Sequence, residues 1–169
     1  MKAAIVGSRT FCDYKSLEQY INNICKEEGY TLDEIVSGGA NGADTLGEVY
    51  AKRHNLKLTV FKPDWKTYGK SAGFRRNGDI IRNCDVCFAF WDGKSHGTKN
   101  DIDLCTTYNK PCHIYEFKNI AMVTIKSDND WDEFGPYTVP MPLEESGDYL
   151  YEKIDRCAGG VITMDIEQI

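Results

Sequence analysis

Five short apolar runs, each stopped by a turn and separated from the next by a helix-forming stretch, restrict this chain's fold more than any single residue does. The first, residues 2–6 (KAAIV), halts at Gly7, and the second, residues 34–37 (EIVS), runs into Gly38-Gly39-Ala40-Asn41-Gly42-Ala43-Asp44. The third, residues 58–61, ends at Lys62-Pro63, and the fourth, residues 85–91 (DVCFAFW), opens into Asp92-Gly93-Lys94-Ser95-His96-Gly97-Thr98. A fifth covers residues 112–115. Continuous apolar runs mark strands covered on both faces, as parallel strands are.

The intervening segments carry helical spacing. Leu17, Tyr20, Ile21 and Ile24 form one stripe, with Asp13 or Ser16 available as its cap and Gly29 as its stop. Leu46, Val49 and Tyr50 mark a second helix, residues 72–83 a third, and Ile102 with Cys105 a fourth. Alternation of this kind implies a parallel sheet with right-handed crossovers and helices on both faces. The expected class is Rossmann-like α/β, doubly wound, with strand order 3-2-1-4-5.

Residues 117–169 break the pattern. Residues 121–125, 137–139 and 161–164 read as strands, residues 149–156 as a short helix, and residues 129–136 as a turn-rich connection. Charge divides at the same place: 16 Lys and Arg stand against 15 Asp and Glu up to Glu116, and 4 against 11 beyond it. The expectation is a Rossmann-like domain over residues 1–116 and an acidic, β-rich extension over 117–169.

Ligands of such sheets bind beyond the carboxyl ends of the strands, where the strand order reverses. In the order 3-2-1-4-5 the glycine-rich loops after the first, second and fourth strands share one crevice. Glycine lets a ligand reach the backbone, and helices starting near Ala43 and Thr98 turn unpaired amides toward it, which suits phosphate. Arg9 could clamp phosphate, Asp44 or Asp92 could accept from ribose hydroxyls, and His96 is the histidine placed nearest a ligand. Trp65 and Tyr68 could stack on a base from the rim. His54 and His113 read as ordinary surface and strand residues. Neither a G-x-x-x-x-G-K-[ST] loop nor G-x-G-x-x-G is present, which argues against an ATPase or a nicotinamide dehydrogenase.

A composition of 41% apolar and 27% charged residues is that of a globular domain, with no apolar run of membrane-spanning length. The opening MKAAIVGSRTF holds no long apolar targeting core, so a cytoplasmic protein is expected. Seven cysteines at irregular spacing then read as free thiols, and the lone Cys84-x-x-Cys87 as packing, with no metal and no cofactor expected. The lack of a dense basic stripe disfavours duplex nucleic acid, and no membrane partner is expected.

The ordered motifs Gly7-Ser8-Arg9, the run from Ser37 to Asp44, the run from Asp64 to Asn77, and Trp91-Asp92-Gly93-Lys94-Ser95-His96-Gly97-Thr98 resemble the YspA-like, cpYpsA-related branch of the SLOG superfamily. The resemblance covers residues 1 to about 116. It implies a Rossmann-like fold that binds nucleotides or nucleotide-derived ligands, often in phages and anti-phage systems. By position it implies ligand contacts from Gly7, Ser8, Arg9, Gly38, Gly39, Gly42, Asp44, Ser95, Gly97 and Thr98, with Arg76 and Asn77 shaping the site. Asn41, inside the second loop, joins this set. Homo-oligomers are expected by the same analogy.

A related branch, the cytokinin-activating phosphoribohydrolases, cuts N-glycosidic bonds with a Pro-Gly-Gly-x-Gly-Thr-x-x-Glu loop. Here the matching stretch runs from Gly93 to Asp101, without Pro-Gly-Gly and with Asp101 at the glutamate position. The leading expectation is therefore a non-catalytic binder of a phosphorylated nucleotide derivative, such as an ADP-ribose-type or cyclic-nucleotide signal, that senses or sequesters it. The alternatives are an N-glycosidic-bond hydrolase in which Asp101, Asp44 or Asp92 stabilises an oxocarbenium-like transition state while Arg9 anchors phosphate, and a single-stranded DNA binder.

Overall fold

A computed structural model describes residues 1–118, 120–127, 137–142 and 162–168. The chain divides into two compact units, Met1–Phe117 and Lys118–Ile169.

In the first unit five strands form one parallel sheet: β1 (Lys2–Gly7), β2 (Glu34–Ser37), β3 (Lys57–Val60), β4 (Val86–Trp91) and β5 (Cys112–Glu116). The strand order is β3-β2-β1-β4-β5, as the alternation predicts. β1 lies at the centre, paired with β2 from Lys2↔Glu34 and with β4 from Ala3↔Val86 to Gly7↔Phe90.

Five helices connect the strands: α1 (Tyr14–Glu28), α2 (Ala43–Arg53), α3 (Trp65–Tyr68), α4 (Ala72–Arg82) and α5 (His96–Thr107). The alternating Cβ directions of a strand send Ala3, Ile5, Phe88 and Phe90 to one face, into a cluster with Leu17 and Ile21 of α1 and Ala43, Tyr50 and Ala51 of α2. Ala4, Val6, Cys87 and Ala89 point the other way, onto Ile80 and Ile81 of α4 and Cys105 of α5. Both faces are thus covered, which is why the strands read as unbroken apolar runs.

Local chemistry sets the helix ends. Asp13 caps α1 by accepting from the Ser16 amide at 3.0 Å, and Gly29 ends it at φ 70°. The third strand stops at Val60, yet the Phe61 amide still donates to the Ser37 carbonyl at 2.9 Å. One element escaped the sequence reading: α3 is a single turn capped by Asp64, which accepts from the Thr67 amide at 3.0 Å, and four residues leave no periodic stripe to detect.

In the second unit β6 (Ile120–Ser127) lies between β7 (Tyr137–Pro142) and β8 (Ile162–Gln168), antiparallel to both. These are the three strands expected there. The helix expected at 149–156, the connection at 129–136 and Cys157 lie outside the described residues.

Candidate functional site

β1 is the switch strand. The crossover to β2 leaves it toward one face of the sheet and the neighbouring β4 feeds α5 on the other, so the loops after β1 and β4 part and leave a crevice. A recess of about 90 Å³ occupies it, lined by Val6, Gly7, Arg9, Ala40, Asp44, Arg76, Asn77, Ile80, Ser95, Gly97, Thr98 and Asp101. That volume admits a small cluster of waters or a phosphate-sized group, not a whole dinucleotide.

The loop after β1 is anchored rather than free. Ser8 is 1% exposed, its amide donates to the Phe90 carbonyl at 2.9 Å, and its Oγ accepts from the Asp92 amide at 3.2 Å. The second loop presses against it. A Cβ on Gly42 would lie 2.4 Å from the Ser8 carbonyl oxygen, and φ there is 83°, so only glycine suits the position.

Asp44, in the first turn of α2, is 4% exposed and accepts from the Gly38 and Ala40 amides at 3.1 and 3.4 Å. Arg76 of α4 comes within 3.5 Å of the Asp44 carboxylate while donating through Nη1 to the Gly38 carbonyl at 2.6 Å. Burial pushes the Asp44 carboxyl up to about 6, against the opposing pull of the Arg76 guanidinium and the loop amides. A Cβ on Gly38 would lie 1.7 Å from Arg76 Nη1, so a side chain there would displace the guanidinium from its place beside Asp44.

The third loop forms the start of α5. Asp92 Oδ1 accepts from the Lys94 and Ser95 amides at 3.0 and 2.8 Å, and Ser95 Oγ caps the helix by accepting from the Thr98 amide at 3.4 Å. Partial burial raises the Asp92 carboxyl, but the amides of Ser95 and Lys94 and the Ser8 hydroxyl outweigh it and hold the group below its ordinary value. Asn77 of α4 ties in the same turn, donating to the Gly97 carbonyl and to Asn100 Oδ1, each at 3.3 Å.

Asp101 follows on the buried face of α5. It is 5% exposed, lines the recess, and its Oδ1 has no hydrogen-bond partner. Burial, then the charge of Asp44, push its carboxyl well above the usual range, with Arg76 opposing. Arg76 Nε is likewise buried with no partner. Arg9 and Arg76 thus line the recess beside Asp44 and Asp101, two acids whose ionised forms burial disfavours. The amino ends of α2 and α5 favour an anion at the same place.

The sequence pattern of the YspA, cpYpsA-related SLOG family matches residues 1–68. The chain is also 32% identical over 105 residues to the Gene 61 protein of Mycobacterium phage D29, a match spanning 59% of this chain and 83% of that protein. The chain belongs to the YspA, cpYpsA-related SLOG family. SLOG membership points to a nucleotide-related ligand, bound or hydrolysed.

The SLOG match holds the loops after β1 and β2 and ends at Tyr68, so Arg76, Asn77 and the whole α5 turn complete the site from beyond it. Of the residues anticipated for this SLOG site, Gly7, Arg9, Asp44, Arg76, Asn77, Ser95, Gly97, Thr98 and Asp101 converge on the recess. Ser8, Gly38, Gly39 and Gly42 shape the loops behind it, and Asp92 spends its Oδ1 on the α5 turn. Asn41 and His96 are exposed and outside the recess lining. Trp65 and Tyr68 are 56% and 45% exposed, with Arg75 stacked 4.4 Å over the Tyr68 ring, and neither reaches the recess. Val6, Ala40 and Ile80 line it without having been singled out. Ala40 lies inside the second motif and was legible as backbone, whereas Val6 and Ile80 read as core. Among the described residues no helix is long and apolar enough to cross a membrane.

Proposed function

We propose that this SLOG protein binds a phosphorylated nucleotide-derived small molecule, an ADP-ribose-type or cyclic-nucleotide signal, and returns it unchanged as a sensor or sequestering protein. The observation that carries the reading is the amino end of α5 opening onto a recess lined by the Arg9 and Arg76 guanidiniums. Gly97, in the first turn, has nothing within 4 Å of where a Cβ would sit, so an oxyanion can approach the backbone there. Arg76 Nε supplies an unspent donor and Arg9 an exposed one from the rim. Given the recess volume, one phosphate fills it and the nucleoside lies outside, over the rim. The setting proposed for this role is signalling between phage and host, with which a relative of phage origin is consistent.

A second reading rests on Asp101. Burial pushes this carboxyl, set in a cleft, well above the usual range, which suits a general acid, and protonation of a leaving base would make the protein an N-glycoside hydrolase.

One experiment separates the two. The purified protein is denatured, the released nucleotide identified by mass spectrometry, and the refolded protein incubated with that compound. Recovery of the intact ligand, with a raised melting temperature, supports the binder. Release of free base, abolished in Asp101→Asn, supports the hydrolase. No shift with any member of a broad nucleotide panel overturns both.

A further inference from the structure

Away from the recess, three cysteines that lie far apart in the sequence converge on one point. Cys87 of β4 and Cys112 of β5 are register partners on adjacent parallel strands, which sends their side chains to the same face of the sheet. Cys105, on the buried face of α5, packs down onto that face. The three sulfurs all lie within 4.8 Å of one another.

Three thiolates bound to one thiophilic ion at about 2.3 Å place their sulfurs about 3.8–4.0 Å apart, so the observed cluster needs closure of under about 1 Å. Cys87 and Cys105 are fully buried, and Cys112 is half-buried, so the cluster has one open side for entry. The three cysteines sit in an apolar cluster with Ala4, Val6, Ile81 and Ala89, against which Ile102 and Tyr108 pack. Among the described residues no His, Asp or Glu joins the three sulfurs, and a donor set of sulfur alone rejects Mg²⁺ and Ca²⁺ and selects soft ions.

The neighbouring Cys84 does not belong to the cluster. Its thiol donates to the Ile81 carbonyl at 3.4 Å, so the Cys84-x-x-Cys87 spacing visible in the sequence is not the chelating pair.

We propose that Cys87, Cys105 and Cys112 form a binding site for a thiophilic d¹⁰ cation, Zn²⁺ or Cu⁺. Binding replaces three S–H bonds by three S–metal bonds and releases the thiol protons to solvent. Cu⁺ is satisfied by three sulfurs, whereas Zn²⁺ takes its fourth ligand from solvent through the open side at Cys112. Cys105 follows Asp101 by one helical turn on the same face of α5, so the ion pins to β4 and β5 the helix whose first turn builds the nucleotide recess.

The test uses the full chain, reduced and stripped of metal. It is dialysed separately against Zn²⁺ and against Cu⁺ under anaerobic conditions, and retained metal is measured by mass spectrometry after passage over a weak chelator. One equivalent per chain is expected for at least one ion, falling to a trace in Cys112→Ala and unchanged in Cys12→Ala, whose thiol is exposed. Co²⁺ as a spectroscopic probe is expected to show thiolate charge-transfer absorption in wild type and not in Cys112→Ala. Failure of the wild-type chain to retain either ion, or equal retention by Cys112→Ala, overturns the site and leaves a packed thiol cluster. Neither result depends on whether a nucleotide binds.

Discussion

Arg76 and Asp44 approach to 3.5 Å across the recess, yet the shorter bond of Arg76 is the 2.6 Å one to the Gly38 carbonyl. The guanidinium is therefore held by the loop backbone as much as by the acid, and it neutralises a carboxylate while keeping Nε unspent. This divides its role between stability and ligand contact.

Arg76→Ala leaves Asp44 buried without its cation, and such losses are large because the remaining charge stays desolvated. The expected destabilisation is about 3 kcal/mol, read from the midpoint shift in urea unfolding. Asp44→Asn combined with Arg76→Ala should cost less than the two single changes added together, since the orphaned charge is gone.

Stability should also depend on pH through Asp44. Its carboxyl rises from 3.8 to about 6 on folding, so the native state holds this proton more tightly than the unfolded chain does. The contribution is fully present below pH 3.8 and is lost as pH rises through about 6, an effect of roughly 3 kcal/mol. Asp101 shifts in the same direction, so its burial adds to the loss as pH rises. Unfolding free energies from pH 4 to 7 should show a wild-type excess over Asp44→Asn that declines across this window; a flat difference would refute the assignment.

Glycines on the two sides of the crevice should respond in opposite ways. Gly42→Ala drives a Cβ into the Ser8 backbone at positive φ and should destabilise by several kcal/mol. Gly97→Ala meets no atom of the protein and lies in a helical turn, so stability should hold or rise by up to about 1 kcal/mol. If phosphate approaches that backbone, affinity for the nucleotide should fall at least about tenfold, or about 1.4 kcal/mol, in calorimetric titration.

Ser95→Ala removes the α5 cap and should cost about 1 kcal/mol by thermal unfolding. The same change frays the turn carrying Gly97 and Thr98, so nucleotide affinity should drop in step with stability.

Much of this protein was determined by local sequence. Apolar runs closed by glycine set β1, β2 and β4, the Asp13 cap and Gly29 stop bounded α1, and the alternation dictated the strand order, because right-handed crossovers leave few other arrangements. The motif loops likewise marked the crevice. Tertiary structure decided the chemistry inside it. The stretch from Gly93 to Asp101 marked Asp101 as a candidate acid but not its environment; burial beside Asp44 pushes its carboxyl well above the usual range and leaves one oxygen unspent. Arg76 meets Gly38 only because α4 crosses the sheet, and Cys87, Cys105 and Cys112 meet only because β4, β5 and α5 pack together. Hydrophobic periodicity encodes which face of an element is buried, whereas pKa and ligation depend on distances between elements that the packing alone sets.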